Sequence, residues 1–118
     1  VGELVDKITI LRIKQEHLSQ GALANVQQEL KLLEQVLAAS GVIPSAADVN
    51  DLARVNRALW DIEDNIRDHE RRGCFDDAFI ALARSVYFTN DERSAIKRRI
   101  NESCGSLLVE EKAYQSYR

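Results

Sequence analysis

The feature that most constrains the fold is a long, uninterrupted helical segment in the middle of the chain. The residues Ser45-Ala46-Ala47-Asp48 resemble a capping box, and Gly73 stands where a C-terminal glycine cap would follow Arg72. About 27 residues at 1.5 Å each give a helix of roughly 40 Å, which is longer than a compact globule of this size is wide. Its apolar residues recur at spacings of three and four, a pattern typical of antiparallel helix packing; they are Leu52, Val55, Leu59, Ile62 and Ile66.

Further helices are predicted on both sides of this long helix. The first, second, fourth and fifth are expected at about Gly2–Ser19, Ala22–Ser40, Phe75–Phe88 and from Thr89-Asn90-Asp91-Glu92 to near Gly105. A linker, Gly41–Pro44, precedes the long third helix, and a short helix or extended tail covers Leu107 to Arg118. The apolar stripe of the second helix matches that of the third, which favours a hairpin of these two. The sequence therefore predicts one all-α domain over residues 1–118, an antiparallel bundle of about five helices with a long central helix.

Two of the predicted helices are apolar on two sides. The first carries Val5 and Ile8 on one side and Ile10 and Ile13 on the other. The fourth is apolar around more than half of its circumference, with residues such as Phe79, Leu82 and Val86. A helix that is apolar on two sides needs two neighbours, and a second copy of the chain supplies one readily. The pattern favours a homodimer.

Composition and charge limit the partners of this chain. It has 118 residues, 45% of them hydrophobic and 30% charged, with a net charge of −3. An acidic balance of this kind argues against nucleic-acid binding, which needs an excess of basic residues on one face. No apolar run approaches the roughly 18 residues of a transmembrane helix, so no membrane span is expected. We interpret the chain as a cytoplasmic protein, and since it does not begin with methionine a short leader could precede it.

The cysteines and histidines give little sign of a metal site. Cys74 and Cys104 form neither a CxxC pair nor a zinc-ligand spacing, and only His17 and His69 could complete a site. Reduced thiols in a reducing compartment are the default interpretation. The sequence therefore predicts no metal and no cofactor.

The segment around Glu63 comes closest to a chemical site. Glu63 lies beside the apolar stripe of the long helix, with Asn56 on the same flank and Trp60 and Arg67 next to it. A carboxylate at the edge of a core must find a partner or change its pKa, and either outcome can mark a functional site. We therefore expect Glu63 to meet a second partner from another helix, with Lys7, Arg84 and Lys97 as candidates. The alternative is a solvated face with pairs such as Glu63–Arg67 and Asp68–Arg72 within one helix.

Other charged residues could join such a site. Asp6 shares a side of the first helix with Ile10 and Ile13, so it could be partly buried and meet a cation from another helix. The pattern favours the alternative, a solvated face on which Glu3 and Lys7 form a surface pair. Arg93, Lys97 and Asn101 follow one flank of the fifth predicted helix and could hold a carboxylate or phosphate, or could neutralise the acidic flank of the long helix. The candidate ligand-binding residues are Asp6, Lys7, Trp60, Glu63, Arg67, Arg84 and Lys97.

Several stretches of the chain together resemble the signature blocks of one family. These stretches are Val1–Leu11, Leu23-Ala24-Asn25-Val26, Leu82–Tyr87 with Thr89-Asn90-Asp91, and Leu108–Lys112. They are similar to a small bacterial family of unknown function whose members are often encoded beside glycosyltransferase and cell-surface polysaccharide genes. The resemblance implies a bacterial protein linked to surface-glycan assembly, and it brings no activity, substrate or catalytic residue.

Two functional hypotheses follow. The first is a non-enzymatic helical interaction module, homodimeric, serving a protein partner in polysaccharide assembly; the two-sided helices and the lack of a catalytic motif favour it. The alternative is a small enzyme or binding protein for an anionic or phosphorylated metabolite such as a nucleotide sugar, using Glu63, Arg67, Arg84 and Lys97 with Asp6 or Lys7. A polar pocket lined by these residues would favour the second, and an exposed apolar patch the first.

Overall fold

The computed structural model describes residues 1–105. Four helices account for nearly all of them: α1 (Gly2–His17), α2 (Gln20–Ala39), α3 (Ala46–Arg72) and α4 (Asp77–Ser103). No strand occurs within this described range. The prediction of an all-α fold is confirmed, but the predicted count of about five helices is too high by one. The predicted C-terminal tail, Leu107 to Arg118, lies outside the described residues.

Both ends of the long helix α3 are where the sequence predicts them. The Ser45 hydroxyl accepts a hydrogen bond from the backbone N–H of Asp48 at 3.1 Å. Gly73 ends the helix in the left-handed conformation, with φ of 62°, which a residue without a Cβ adopts at no steric cost. Local capping chemistry therefore sets the bounds of this element.

The predicted fourth and fifth helices are one continuous helix, α4. It starts at the Asp76 cap, whose carboxylate accepts a hydrogen bond from the Phe79 N–H at 3.0 Å. That bond, with a second from the Cys74 thiol, lowers the pKa of Asp76. The residues Thr89–Asp91 were predicted to start a helix, but they lie inside α4 and face its neighbours, since Thr89 and Asn90 are half-buried and Asp91 is buried. Tertiary packing overrides the capping preference of these residues.

The helices pair differently from the prediction of a hairpin of the second and third helices. Helix α3 packs along α4, while α2 packs along α1. The ion pairs Arg54–Glu92 and Arg99–Asp48 fix α3 and α4 as an antiparallel hairpin. Only the end of α2, at Leu37, reaches the core between α3 and α4. A turn at Ser40–Gly41 and the segment with Pro44 carry the chain from α2 to α3.

Helix α1 lies at the centre of the described fold and contacts the three other helices. Its Val5 joins a buried cluster with α3 and α4, made of Val5, Leu52, Val55, Ile96 and Ile100. Its Ile8 and Leu11 join a second cluster with Val26 and Leu30 of α2. Ile13, on the opposite side, is also buried at 2% exposure. Both apolar sides of α1 therefore have neighbours within one chain, so this helix gives no support to the expected homodimer, which stays a prediction.

The outer half of the α3–α4 hairpin extends beyond helices α1 and α2. Helix α1 ends at His17, whose ring stacks on Trp60, and the hairpin continues past this point through residues 64–88, which we call the arm. The radius of gyration is 16.1 Å, against the roughly 13 Å expected for a compact chain of about 100 residues. Among the described helices, none is both long and apolar enough to cross a membrane.

Candidate functional site

A buried carboxylate, Asp6, forms the centre of a polar cluster between α1, α3 and α4. Its side chain is only 1% exposed. Oδ1 accepts hydrogen bonds from Asn56 Nδ2 at 2.9 Å and from Arg93 Nε at 3.0 Å. Oδ2 accepts a further bond from Arg93 Nη2, which makes the arginine contact bidentate. Such a fork is the strongest geometry available to a carboxylate and a guanidinium.

Further side chains complete this cluster on both flanks of Asp6. Thr9 Oγ1 donates to the backbone carbonyl of Asp6 and accepts from Asn56 Nδ2, both at 2.8 Å. Lys97 Nζ lies 2.7 Å from Glu3 Oε2 and 4.0 Å from Asp6 Oδ2. Two cations are thus matched by two carboxylates, as a buried group of charges requires.

A small cleft of about 220 Å³ opens beside the polar cluster at the same three-helix junction. Ile10, Ile13 and Leu59 give it apolar walls. Its other lining residues are polar or aromatic; they are Lys14, Asn56, Trp60, Glu63, Asn90 and Arg93. Asn56 and Arg93 belong to both the cleft and the cluster, so the Asp6 network fixes two of the polar groups that line the cleft.

The orientation of the Asn56 amide leaves its oxygen, Oδ1, available as a hydrogen-bond acceptor in the cleft. Both of its hydrogen bonds, to Asp6 and Thr9, use Nδ2 as donor. An ionised carboxylate can only accept, so Asp6 forces the amide nitrogen inward and the oxygen outward. No described residue donates to Asn56 Oδ1, yet no fully enclosed side-chain polar atom of the described residues lacks a partner. The oxygen of a side chain that is only 5% exposed is therefore reachable from the cleft.

Trp60 forms the aromatic wall of the cleft. The His17 ring stacks on it with centroids 4.6 Å apart and an angle of 19° between the planes. Arg57, three residues earlier, forms an ion pair with Glu16 at 2.6 Å and lowers the pKa of that carboxyl. Both contacts join the end of α1 to α3, so the tryptophan ring is held in place from outside the cleft.

Comparison with known proteins places the chain in a family. The model of a family of unknown function, DUF6165, matches residues 1–117. The chain belongs to DUF6165. Searches among curated proteins and among solved structures found no significant match. The sequence resemblance to a family of unknown function is therefore confirmed, and the family brings no assigned activity to this site.

The structure brings only some of the seven candidate ligand-binding residues together. Asp6 and Lys97 lie in the buried cluster, and Trp60 and Glu63 line the adjoining cleft. Lys7 is exposed on α1. Arg67 pairs with Asp64 on the surface of the arm at 3.2 Å, and Arg84 lies over the Phe88 ring at 5.9 Å. The seven candidates therefore do not form one site, and their role in ligand binding stays a prediction.

The predictions for the partners of individual charged residues had different outcomes. Asp6 is buried and meets a cation from another helix, so the favoured interpretation of a solvated face with a Glu3–Lys7 pair was wrong. Arg93 and Lys97 do converge on carboxylates, but these are the chain's own Asp6 and Glu3. The acidic flank of α3 is neutralised instead by Arg99, which bonds to Asp48 at 2.7 Å and to Asp51 at 2.9 Å.

The expectation for Glu63 was wrong. Its side chain is exposed, and no ion pair joins it to Lys7, Arg84 or Lys97 within residues 1–105. The intrahelical pair with Arg67 is also replaced by Arg67–Asp64, whereas Asp68–Arg72 forms as predicted at 3.0 Å. Glu63 lies where α3 leaves the contact with α1, so water reaches its carboxylate and removes the need for a buried partner.

Three residues of the polar cluster and the cleft were not identified from the sequence. Thr9 and Lys14 carry no pattern of their own, and Asn90 was interpreted as part of a helix cap. The available signal was the pair Ile10 and Ile13 on the same side of α1 as Asp6, since apolar residues beside a carboxylate indicate a second buried face.

The described residues show no grouping suited to a metal ion, because no three His, Cys, Asp or Glu side chains converge within them. Cys74 lies 3.4 Å from Asp76 in the arm, while Cys104 packs against the core cluster at the end of α4. The two thiols are therefore in different parts of the fold.

Proposed function

We propose that this protein is a non-enzymatic protein-interaction module and that its arm, residues 64–88, is the docking element. The observation that carries the proposal is the exposure of large apolar side chains there. Phe75, Ile80 and Tyr87 are 56%, 52% and 47% exposed. Phe75 precedes α4, and Ile80 and Tyr87 lie on it; contiguous exposed apolar patches mark interaction sites.

The geometry of the arm supports a continuous docking surface. Ile80 and Tyr87 are seven residues apart on α4, which places them on the same side of the helix, two turns from each other. Phe75 packs edge-on against Phe79 with ring centroids 5.1 Å apart, so it is held at the tip of the hairpin. Rigid aromatic and aliphatic groups are the usual anchors of an interface.

The polar cluster supports a non-enzymatic role. The buried Asp6 and Lys97 are each engaged within this cluster, Asp6 by Arg93 and Lys97 by Glu3. Groups that neutralise one another in a buried network stabilise the junction of three helices and do not offer a base or an acid to a substrate.

A second copy of the chain is the partner we propose for the arm. Between residues 64 and 88 the sequence has five acidic residues and four arginines, a net charge of −1 with histidine neutral. Two arms therefore meet without strong net repulsion. Homodimers with twofold symmetry are the commonest oligomers, and one apolar patch suffices to form both halves of the interface.

Light scattering on the full chain at micromolar concentration tests this dimer. We expect a species of twice the 13.3 kDa chain mass. Ile80→Glu should weaken the dimer about 10- to 100-fold, because burial of an isoleucine side chain contributes roughly 1.5–3 kcal/mol. Ile43→Glu is the matched control, since Ile43 is 91% exposed but lies in the linker outside the arm. A monomeric parent, or a dimer equally sensitive to both changes, would refute docking through the arm.

The cellular setting we propose is cytoplasmic polysaccharide assembly in a bacterium. It is supported only by the resemblance of blocks such as Val1–Leu11 to their family, and no contact in the described structure bears on it. Deletion of the gene should alter the amount or chain length of the surface glycan. If the amount and chain length of the glycan were unchanged in the deletion strain, the proposed role in polysaccharide assembly would be contradicted.

The alternative function, binding or conversion of an anionic metabolite, has less support. Arg67 and Arg84 lie in the arm, while Lys97 is buried against Glu3. Thirteen residues of α4 separate Arg84 from Lys97, a distance of about 20 Å along the helix axis. These cations could not grip one small phosphate together. The feature that still favours a ligand is the cleft beside Trp60.

A further inference from the structure

The cleft at the three-helix junction offers hydrogen-bond acceptors and donors side by side. The acceptors are Asn56 Oδ1, held outward by the Asp6 network, and the exposed carboxylate of Glu63. The donors that border the same cleft are the Lys14 ammonium and the Arg93 guanidinium. Asn90 adds an amide side chain, which can both donate and accept hydrogen bonds.

We propose that this cleft binds a neutral, polyhydroxylated ring, such as one sugar residue, on the Trp60 wall. A hydroxyl group both donates and accepts, so a ring that carries several of them can satisfy Asn56 and Glu63 as well as Lys14. The inference goes beyond the docking function of the arm, because it concerns a different surface and a different kind of ligand.

Charged ligands fit the cleft less well than neutral ones. A phosphate or carboxylate would face the Glu63 carboxylate and the lone pairs of Asn56 Oδ1. An ammonium group would face the positive charges of Lys14 and Arg93. Each ionic ligand therefore meets at least one like charge in the cleft, which a neutral ring avoids.

The apolar part of the cleft suits the C–H face of such a ring. Trp60 presents an aromatic surface, and Ile10 and Ile13 lie on the opposite helix. Small-ligand sites combine apolar and aromatic walls with a few fixed polar groups, and this cleft has both. Its 220 Å³ equal the volume of about seven water molecules at ~30 Å³ each, which is enough for a single ring.

The chain itself supplies a probe for the test, since Trp60 is its only tryptophan. Tryptophan emission of the full chain is recorded during titration with D-glucose, D-galactose and N-acetylglucosamine. We expect a saturable shift with at least one of them, with a dissociation constant on the order of 1 mM for so small a ligand. Glucose 6-phosphate and glucosamine serve as the anionic and cationic comparisons, and each should bind at least about 3-fold more weakly than its neutral parent.

Two substitutions on α3 distinguish an effect at the cleft from a general effect of removing a charge from this helix. Glu63→Gln should weaken the sugar response about 3- to 10-fold, because a charge-assisted hydrogen bond becomes a neutral one. Glu70→Gln, two turns further along the same helix and equally exposed, should leave the response unchanged. Circular dichroism of both variants confirms that the fold is retained.

Three results would overturn the proposal. One is the lack of a saturable shift with all three neutral sugars up to about 100 mM. Another is tighter binding of the phosphate or the amine than of the neutral parent. The third is an equal effect of Glu63→Gln and Glu70→Gln. None of these depends on the oligomeric state, so the proposal fails or stands independently of the dimer.

Discussion

Among the charged side chains of residues 1–105, Asp6 is the most deeply buried, and it lies close to two cations, Arg93 and Lys97. The sequence offered its burial only as an alternative to a solvated face, and it named Arg93 and Lys97 as cations on one flank without naming Asp6 as their partner. Glu63 was not correctly placed, because its exposure depends on where α1 ends relative to α3. Sequence periodicity shows which side of a helix a residue occupies, but it does not show how far the neighbouring helix extends.

We expect Asp6→Ala to destabilise the fold strongly. The change removes the buried bidentate partner of Arg93 and one of the two carboxylates near Lys97, and breaking a buried ion pair on one side costs roughly 3–5 kcal/mol. Asp68→Ala removes an exposed pair with Arg72 and should cost within about 0.5 kcal/mol. Urea unfolding followed by circular dichroism measures both. Equal losses in the two variants would show that the Asp6 network contributes no more than a surface ion pair.

Among the helices, capping residues predicted the bounds of α3 correctly, but they also predicted a helix start that lies inside α4. Ser45 and Gly73 act as the sequence indicates, and they bound α3 correctly. The polar run Thr89-Asn90-Asp91-Glu92 has the composition of a cap but lies in the middle of α4. Its residues face the cleft, the core and Arg54 of α3, so their polarity serves contacts between helices. A single sequence does not distinguish these two uses of the same residue types.

The crossing of α1 and α4 depends on a glycine. A Cβ at Gly2 would lie 2.5 Å from the Lys97 carbonyl oxygen and 2.9 Å from Asn101 Oδ1, which accepts a hydrogen bond from the Gly2 N–H at 2.7 Å. Gly2→Ala should therefore force the helices apart and cost about 1–3 kcal/mol. Gly21→Ala is the control, because a Cβ there meets no atom within 4 Å and alanine favours a helix.

Thermal and urea unfolding of the two alanine variants measures this difference. Gly21→Ala should be neutral or slightly stabilising, whereas Gly2→Ala should lower the midpoint. If Gly2→Ala were as stable as the parent, the close approach of α1 to the Lys97 carbonyl would not exist in solution.

For the whole molecule, the fold class and the long helix follow from the sequence, but the pairing of the helices does not. Helices α2 and α3 carry similar apolar stripes, and the sequence alone favours their hairpin. The structure pairs α3 with α4 because Leu52 and Val55 pack with Ile96 and Ile100, and α2 packs along α1, with only Leu37 reaching that core. The choice between two apolar stripes of similar strength rests on contacts among distant residues, which local periodicity does not contain.

This arrangement predicts an uneven distribution of stability. Only Val26 and Leu30 of α2 are buried, and the helix packs along a single neighbour, while Leu52 and Val55 of α3 are fully buried. Local opening is easiest where few apolar contacts hold an element. We therefore expect the amides of α2 to exchange with solvent through an opening of lower free energy than global unfolding. The amides around Leu52 should exchange only when the whole domain unfolds.

Hydrogen exchange on two matched variants tests this prediction. Leu30→Ala and Leu52→Ala each remove the same atoms from a buried site and each should cost about 2–5 kcal/mol locally. Leu30→Ala should speed exchange in α2 and leave the amides of α3 and α4 nearly as protected as before. Leu52→Ala should lower the protection of α1, α3 and α4 together, because its cluster joins these three helices. If Leu30→Ala lowered the protection of all four helices equally, α2 would unfold only with the rest of the domain, and the single contact with α1 would be enough to make the fold one cooperative unit.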